Sequence, residues 1–289
     1  MTEEAESVDM NPKDTSFPTP LNHEHSCPLQ LRGKRGLIFG VANQRSIAWA
    51  CAEQMIKYGA ELFISVLDER SAKRASKLLS SVSTPSDPPT HLIRECDVRS
   101  SEDIARLARE VAERWGQLDF IIHSVAFAHL EDLKQPVSAC RREGYLDAME
   151  ISAFSLLSIV NEFKPLLSEI GSIVTMTYIG SEIAIPSYGI MGPVKAALEA
   201  QVRYLASELG PDGVRVNAVS AGPLKTLAAS AIPGFRKHLK ESGERTPLGR
   251  NISHLEVANT TAFLCSQMSS GICGEVIHVD AGQHAVREM

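Results

Sequence analysis

Tyr178, Tyr188 and Lys195 have the types and spacing to stabilise an oxyanion that develops during a reaction. At 100° per residue, the seven-residue step from Tyr188 to Lys195 is two turns to within about 20°, so the pair can share one helix face. A phenol beside a fixed ammonium is a hydrogen-bond donor poised against charge that appears only in a transition state. The same spacing also arises between two solvated neighbours on an ordinary helix, and the pair alone does not choose. Pro193 lies between them. Inside a regular helix it would lose the N–H bond to Gly189 and clash with that carbonyl, at about 3 kcal/mol. At the start of a helix the penalty vanishes. Regular helix is therefore predicted to begin near Pro193, with Tyr188 in a distorted turn before it.

The elements that must hold these residues can be read from the apolar pattern. Short apolar runs recur at Leu37-Ile38-Phe39, Leu62-Phe63-Ile64, Leu92-Ile93, Phe120-Ile121-Ile122, Ile173-Val174, Val214 to Val219 and Val276 to Val279. Between them lie amphipathic stretches such as Ile47, Cys51, Met55 and Tyr58, or Ile104, Leu107, Ala108 and Val111, at helical spacing. Apolar strands alternating with helices mean a parallel sheet covered on both faces, and right-handed crossovers make it doubly wound. The expected fold is one Rossmann-type α/β domain over residues 31–289, with about seven strands and no internal repeat. Ser80 to Pro89 reads as a surface loop. Residues 1–30 differ in kind: four prolines, acidic side chains and almost no apolar periodicity predict a disordered or loosely docked extension. It lacks the basic start and apolar core of a signal peptide. His23, Glu24, His25 and Cys27 within it read as a solvated tail, and no metal site is expected.

Composition narrows the classes. The chain is 44% hydrophobic and 22% charged with a net charge of −6, which argues against general nucleic-acid binding. No apolar run approaches the roughly 20 residues of a membrane span. Six cysteines (27, 51, 96, 140, 265 and 273) form no CxxC pair and sit mostly in apolar segments, as reduced thiols of a cytosolic protein do.

In an open parallel sheet, ligands bind beyond the carboxyl ends of the strands, at the switch point. The first such end reads Phe39-Gly40-Val41-Ala42-Asn43-Gln44-Arg45-Ser46-Ile47-Ala48. Gly40 permits a tight turn, and the following helix aims backbone N–H groups at a pyrophosphate. Ser46 adds a hydroxyl and Ala48 lets the helix lie close to the sheet. An ordinary strand–turn–helix with a serine N-cap is the other reading.

This turn resembles that of the divergent short-chain dehydrogenase/reductases, specifically the bacterial enoyl-[acyl-carrier-protein] reductases. The resemblance runs from about Leu31 to about Ala285. Cys96-Asp97-Val98 is similar to the family's adenine site, and His123 to Ala128 resembles the loop beside the nicotinamide ribose and substrate. Tyr178, Tyr188 and Lys195 match the Tyr-x9-Tyr-x6-Lys signature. Asn217 to Thr226 resembles the segment cradling the nicotinamide and pyrophosphate, and Gly274 to Asp280 looks like the last strand. Most short-chain dehydrogenases carry Tyr-x3-Lys, whereas Gly192 stands four after Tyr188 here. The longer spacing suits an enoyl thioester, whose oxygen lies farther than a ketone's from the carbon that accepts hydride.

The resemblance implies reduction of the trans-2 double bond of enoyl-acyl-carrier-protein thioesters by hydride from NADH, in fatty-acid elongation. It implies Tyr178, Tyr188 and Lys195 as catalytic residues: Tyr188 donates to the enolate oxygen, Lys195 binds the nicotinamide ribose, and Tyr178 lines the acyl pocket. A strand-end aromatic closing the core is the other reading of Tyr178. The implied cofactor contacts are Gly40, Ser46, Ile47, Leu67, Asp97, Val98, Val125, Lys195, Leu224, Lys225, Thr226, Leu227 and Ala228. The implied substrate contacts are Ala126, Ala128, Tyr178, Tyr188, Met191, Ala228 and Ile232. A substrate-binding lid spans about residues 226–240, where Arg236, Lys237 and Lys240 either steer an acidic acyl carrier protein or form a solvated helix face. A cytoplasmic homotetramer is the family's usual form. Two departures stand out. Ala126 replaces a glycine common in relatives, and its methyl narrows the pocket beside the nicotinamide. Leu67 replaces a polar or basic adenosine contact and is followed by Asp68 and Glu69. A carboxylate there suits a ribose 2′-hydroxyl and so NADH, although Arg70 leaves NADPH open. A reductase of another activated alkene or carbonyl, and a non-catalytic dinucleotide sensor, are the competing classes.

Overall fold

The apolar runs become seven strands of one sheet: β1 (Arg35–Phe39), β2 (Glu61–Val66), β3 (His91–Glu95), β4 (Leu118–His123), β5 (Leu167–Thr177), β6 (Arg215–Ala221) and β7 (Val276–Val279). The structure is a computed structural model, and it describes residues 29–82, 90–185, 188–226 and 234–286. All six pairings are parallel, in the order β3-β2-β1-β4-β5-β6-β7. The chain leaves β1 toward β2 and returns on its other side as β4, so the switch point lies between the ends of β1 and β4. Phe39, the last residue of β1, pairs with Ser65 on one side and His123 on the other.

Helices cover both faces, which is why the central strands are apolar almost throughout rather than alternating. One core packs α1 (Ile47–Lys57) and α9 (His254–Cys265) against the sheet, through Trp49, Met55, Val257 and Leu264. The other packs α3 (Ser101–Trp115), α6 (Ser155–Phe163) and α7 (Met191–Leu209), through Leu107, Phe163 and Leu198. Local signals set the ends. Ser100 caps α3 by accepting from Asp103 N–H, and Gly116 ends it in the left-handed region. Ser253 and Glu256 open α9 with reciprocal capping bonds.

The Pro193 expectation holds. Gly189 has φ +54, which breaks the helix after Tyr188, and α7 begins at Met191. Pro193 sits in the first turn, where its missing N–H has no intrahelical acceptor to lose. The reading of Ser80 as the start of a loop is corrected: α2 runs from Glu69 to Val82. Within the helix, the hydroxyls of Ser80 and Ser81 bond back to the carbonyls of Ser76 and Leu78 instead of competing for the backbone N–H groups. The rest of that loop, and the extension through Pro28 with Cys27, lie outside the described residues. Cys51, Cys96 and Cys265 are buried free thiols, whereas Cys140 is half-buried and Cys273 exposed. Among the described residues, no helix is long and apolar enough to cross a membrane, and no group of three or more His, Cys, Asp or Glu is placed to hold a metal.

Candidate active site

At the switch point the backbone does most of the shaping. Gly40 has φ +99, and a Cβ on it would lie 2.1 Å from the carbonyl oxygen of Ser124. Only glycine lets the ends of β1 and β4 approach this closely. The hydroxyl of Ser46 donates to Asn43 O and accepts from Trp49 N–H, so it serves as the N-cap of α1. The N–H groups of Ile47 and Ala48 then remain as the outward donors of a helix N-terminus.

Farther along the same edge the side chains are exposed. Leu67 projects from the end of β2, 61% exposed. Asp68 caps α2 (Glu69–Val82), its Oδ1 accepting from Ser71 N–H at 2.7 Å. The Ser71 hydroxyl first, then that backbone bond and nearby Arg74 and Arg70, hold its carboxyl below the usual range. Arg45 and Arg74, with Asn43 and Gln44, line a shallow depression of about 360 Å³ beside it. Asp97 accepts from the backbone N–H and guanidinium of Arg99, with Nη2 at 2.6 Å, which holds its carboxyl low. Val98 and Val125 pack half-buried on the α3 side of the sheet.

Across the crevice the polar groups are withdrawn from water. Tyr178 follows β5 and Tyr188 precedes α7, and their rings meet edge to face, centroids 4.7 Å apart at 63°. Gly180 makes room for this pair, because a Cβ there would lie 2.5 Å from the ring of Tyr188. Gly192 does the same for the backbone: its Cβ would fall 2.9 Å from Gly180 O. The position that carries lysine in the commoner Tyr-x3-Lys pattern is thus where α7 touches the Tyr178 turn. Burial pushes the Tyr178 phenol up to about 12, and raises Tyr188 further with help from Tyr178 and Glu199. Both are protonated donors at neutral pH. Lys195 is buried and donates to Met176 O at 2.8 Å. Burial lowers its ammonium to about 8, against an upward pull from Glu199.

His123 ends β4 and is fully enclosed. Its Nε2 is 2.9 Å from Ser155 Oγ, which itself donates to Ile151 O, and its Nδ1 is 2.8 Å from Thr175 Oγ1. Thr175 Oγ1 also donates to His123 O at 3.2 Å, so each hydroxyl partner of the ring has a second acceptor. Burial, and then Lys195, depress this imidazole to about 3, so it is neutral. Ser155 follows a π-helical turn, Glu150–Phe154, which also presents Ser152. The Ser152 hydroxyl accepts from Phe127 N–H at 2.8 Å and donates to Phe127 O at 3.0 Å, fastening the loop after β4. Such wide turns recur at functional sites. On that loop Ala126 is exposed, with φ outside the left-handed region, and Ala128 is half-buried. The Ala126 methyl therefore carries no backbone strain.

Met191 is buried in the core beneath α7. Leu224 is buried, Lys225 exposed, and Thr226 half-buried with its N–H on Leu224 O. Leu227, Ala228 and Ile232 lie outside the described residues, as do the side chains of Arg236 and Lys237. Lys240 is exposed on α8 (Phe235–Arg245), which follows Gly234 at φ +72. The structure thus gathers Tyr178, Tyr188 and Lys195 on one side of the crevice and Gly40, Ser46 and Ile47 at its floor. Sequence reasoning missed Gly180, Ser152, Ser155 and Glu199. The glycine two after Tyr178 and the glutamate four after Lys195 were the available signals.

This geometry can be set beside known proteins. A family model described as "Enoyl-(Acyl carrier protein) reductase" matches residues 40–284. The chain belongs to the enoyl-[acyl-carrier-protein] reductase family. It is 46% identical to enoyl-[acyl-carrier-protein] reductase [NADPH] FabI of Staphylococcus aureus (strain MRSA252), over 90% of this chain and 100% of that protein. It is 45% identical to enoyl-[acyl-carrier-protein] reductase [NADH] FabI of a Nostoc species, over 88% of this chain and 97% of that protein. The crystal structure of the NADH enoyl-[acyl-carrier-protein] reductase of Aquifex aeolicus VF5 superposes with a TM-score of 0.84 at 42% identity, covering 90% of this chain and 99% of that one. The residues of this enoyl reductase fit a dinucleotide. A glycine cradle lies beside a helix N-terminus with outward N–H donors, and a buried ammonium faces the same crevice.

Proposed function

We propose that this enoyl reductase reduces the trans-2 double bond of enoyl thioesters on acyl carrier protein, with NADH, as the reductive step of fatty-acid elongation. The observation that carries the reading is the Tyr178–Tyr188 edge-to-face pair beside buried Lys195. When bound, the reduced nicotinamide supplies the hydride to the β-carbon. Charge then gathers on the thioester oxygen, and the Tyr188 phenol, held protonated by burial, donates a hydrogen bond to it. One such donor in a dry site contributes about 2.7–4 kcal/mol. A proton from solvent taken up at the α-carbon completes the saturated thioester. Lys195 exchanges its bond to Met176 O for the ribose hydroxyls and keeps positive charge near the enolate. Tyr178 sets the orientation of Tyr188 and lines the acyl channel with Ala126 and Ala128, whereas the buried Met191 packs into the core behind them. Ile47 N–H and the Gly40 turn receive the pyrophosphate. Asp97 accepts from the adenine amine by giving up part of its contacts with Arg99, whose Nε is shared between the two carboxylate oxygens.

Asp68 supports NADH over NADPH, because a 2′-phosphate would meet a carboxylate already seated on the N-terminus of α2. Arg45 and Arg74 flank the same edge and leave NADPH as a weaker second cofactor. Exposed Tyr145, Leu146, Phe154 and Tyr204 on and between α5 (Arg142–Met149) and α7 support a homotetramer, which light scattering tests directly. Exposed Lys240 supports steering of an acidic carrier, and buried free thiols suit the cytoplasm. The deciding assay follows NADH consumption with crotonyl- or dodecenoyl-thioester against acetoacetyl-thioester. Oxidation with the ketone alone overturns the reading.

A further inference from the structure

Glu199 is a buried carboxyl that the reaction above does not use. It lies on α7 one turn beyond Lys195 and is 6% exposed. Carboxyl groups are seldom withdrawn this far unless something needs them. Its Oε1 accepts from Thr177 Oγ1 at 2.5 Å and lies 2.5 Å from Ser181 Oγ. Thr177 ends β5 and Ser181 ends the short turn after it, so the two hydroxyls bracket Tyr178. One oxygen of α7 therefore ties down both ends of the turn that presents Tyr178 to Tyr188. At four residues' separation the same carboxyl also shares a helix face with Lys195.

We propose that Glu199 is a positioning residue for this reaction: it clamps the Tyr178 turn onto α7 and keeps the buried Lys195 in its charged form. The reaction named here rests on the enoyl-reductase reading, but the clamp and the charge do not. Among the titratable groups of the surrounding elements, His123 interacts with Lys195 and the others act on the tyrosines. His123 from β4 is neutral, Tyr178 and Tyr188 are protonated at neutral pH, and Asp280 beyond β7 acts on Tyr178. Glu199 is the group whose charge opposes the burial of the ammonium. With Glu199 in place the ammonium loses its proton near about 8. Without that charge the loss should move to lower pH.

Two substitutions separate the clamp from the charge. Glu199→Gln keeps an oxygen for both hydroxyls and removes the charge, whereas Glu199→Ala removes both. The titration of Lys195 is read directly by NMR from ε-13C-labelled lysine, its resonance assigned by its loss in Lys195→Met. Its midpoint should fall by about one pH unit in Glu199→Gln. The alkaline limb of kcat/KM with crotonyl-thioester should move by the same amount, while at about pH 6 this variant stays within about twofold of wild type. Glu199→Ala should be depressed at every pH. If it does not fold, Ser181→Ala replaces it, with kcat lowered several-fold and no shift of the limb. Superimposable Lys195 titrations in wild type and Glu199→Gln overturn the charge role. Unchanged kcat in Glu199→Ala, or in Ser181→Ala, overturns the clamp. A wild type that leaves enoyl thioesters untouched sinks the reaction reading instead. The NMR titration then still decides the charge, and Tyr178–Tyr188 ring contacts in protein carrying ring-labelled tyrosine, compared between wild type and Ser181→Ala, decide the clamp.

Discussion

At the ends of β1, β2 and β3 the crevice is lined by backbone and by exposed side chains, whereas at β4, β5 and α7 it is lined by polar groups removed from water. Leu67, Asp68 and Arg99 belong to the first kind, and His123, Thr175, Thr177, Lys195 and Glu199 to the second. The energies differ accordingly. An exposed ion pair such as Arg99–Asp97 is worth about 0–1 kcal/mol. A buried polar group left without its partner costs about 1–3 kcal/mol. On the proposed reaction, substitutions in the exposed half should therefore alter which dinucleotide binds and cost little stability. Those in the buried half should lower the rate or the stability.

The largest effect belongs to the buried half. Tyr188→Phe keeps the ring against Tyr178 and loses only the donor, so kcat should fall about 10²–10³-fold with NADH affinity unchanged. Steady-state kinetics and an NADH fluorescence titration check the two parts. A variant with wild-type kcat would remove Tyr188 from the reaction. The pair was legible in the sequence because it sits in a short motif, and Pro193 even gave the start of α7, since a missing N–H can be placed only in a first turn. Gly40 was legible because a strand-end glycine announces a close approach. The partners of the buried groups were not. His123 meets Thr175 across 52 residues and Ser155 across 32, and Glu199 reaches Thr177 across 22. No local spacing records contacts that exist only once β4, β5, α6 and α7 have packed.

His123 gives the next largest effect, on stability rather than rate. Its imidazole is depressed to about 3 in the folded protein against 6.5 when exposed. Between those values the unfolded chain binds a proton that the folded one refuses, so stability is full above about 6.5 and is lost as pH falls toward about 3. The slope from this group approaches about 1.4 kcal/mol per pH unit in that window. Urea unfolding of wild type and His123→Gln through that window should show the wild type losing stability more steeply. Parallel slopes would mean that the ring is not held neutral.

Asp68 tests the exposed half. Asp68→Ser keeps a capping oxygen for Ser71 N–H and removes the charge from the adenosine edge. The ratio of kcat/KM for NADH over NADPH should fall about tenfold, about 1.4 kcal/mol, with kcat on NADH unchanged. A fall in kcat comparable to that of Tyr188→Phe would break the division between the halves.

Ala126 lies on the boundary, exposed but fastened from below by the bonds of Ser152 to Phe127. Because its φ is ordinary, Ala126→Gly relieves no strain, and the change acts through the methyl alone. The gain is steric: a methyl that overpacks a site costs about 1 kcal/mol, or about fivefold in affinity. Removing it should tighten a flat diphenyl-ether inhibitor stacked beside the nicotinamide by that factor, while KM for crotonyl-thioester changes less. Equal inhibition constants would mean that the methyl does not border the pocket. A much larger effect would mean that glycine loosens the loop despite Ser152, and the boundary would then belong with the buried half.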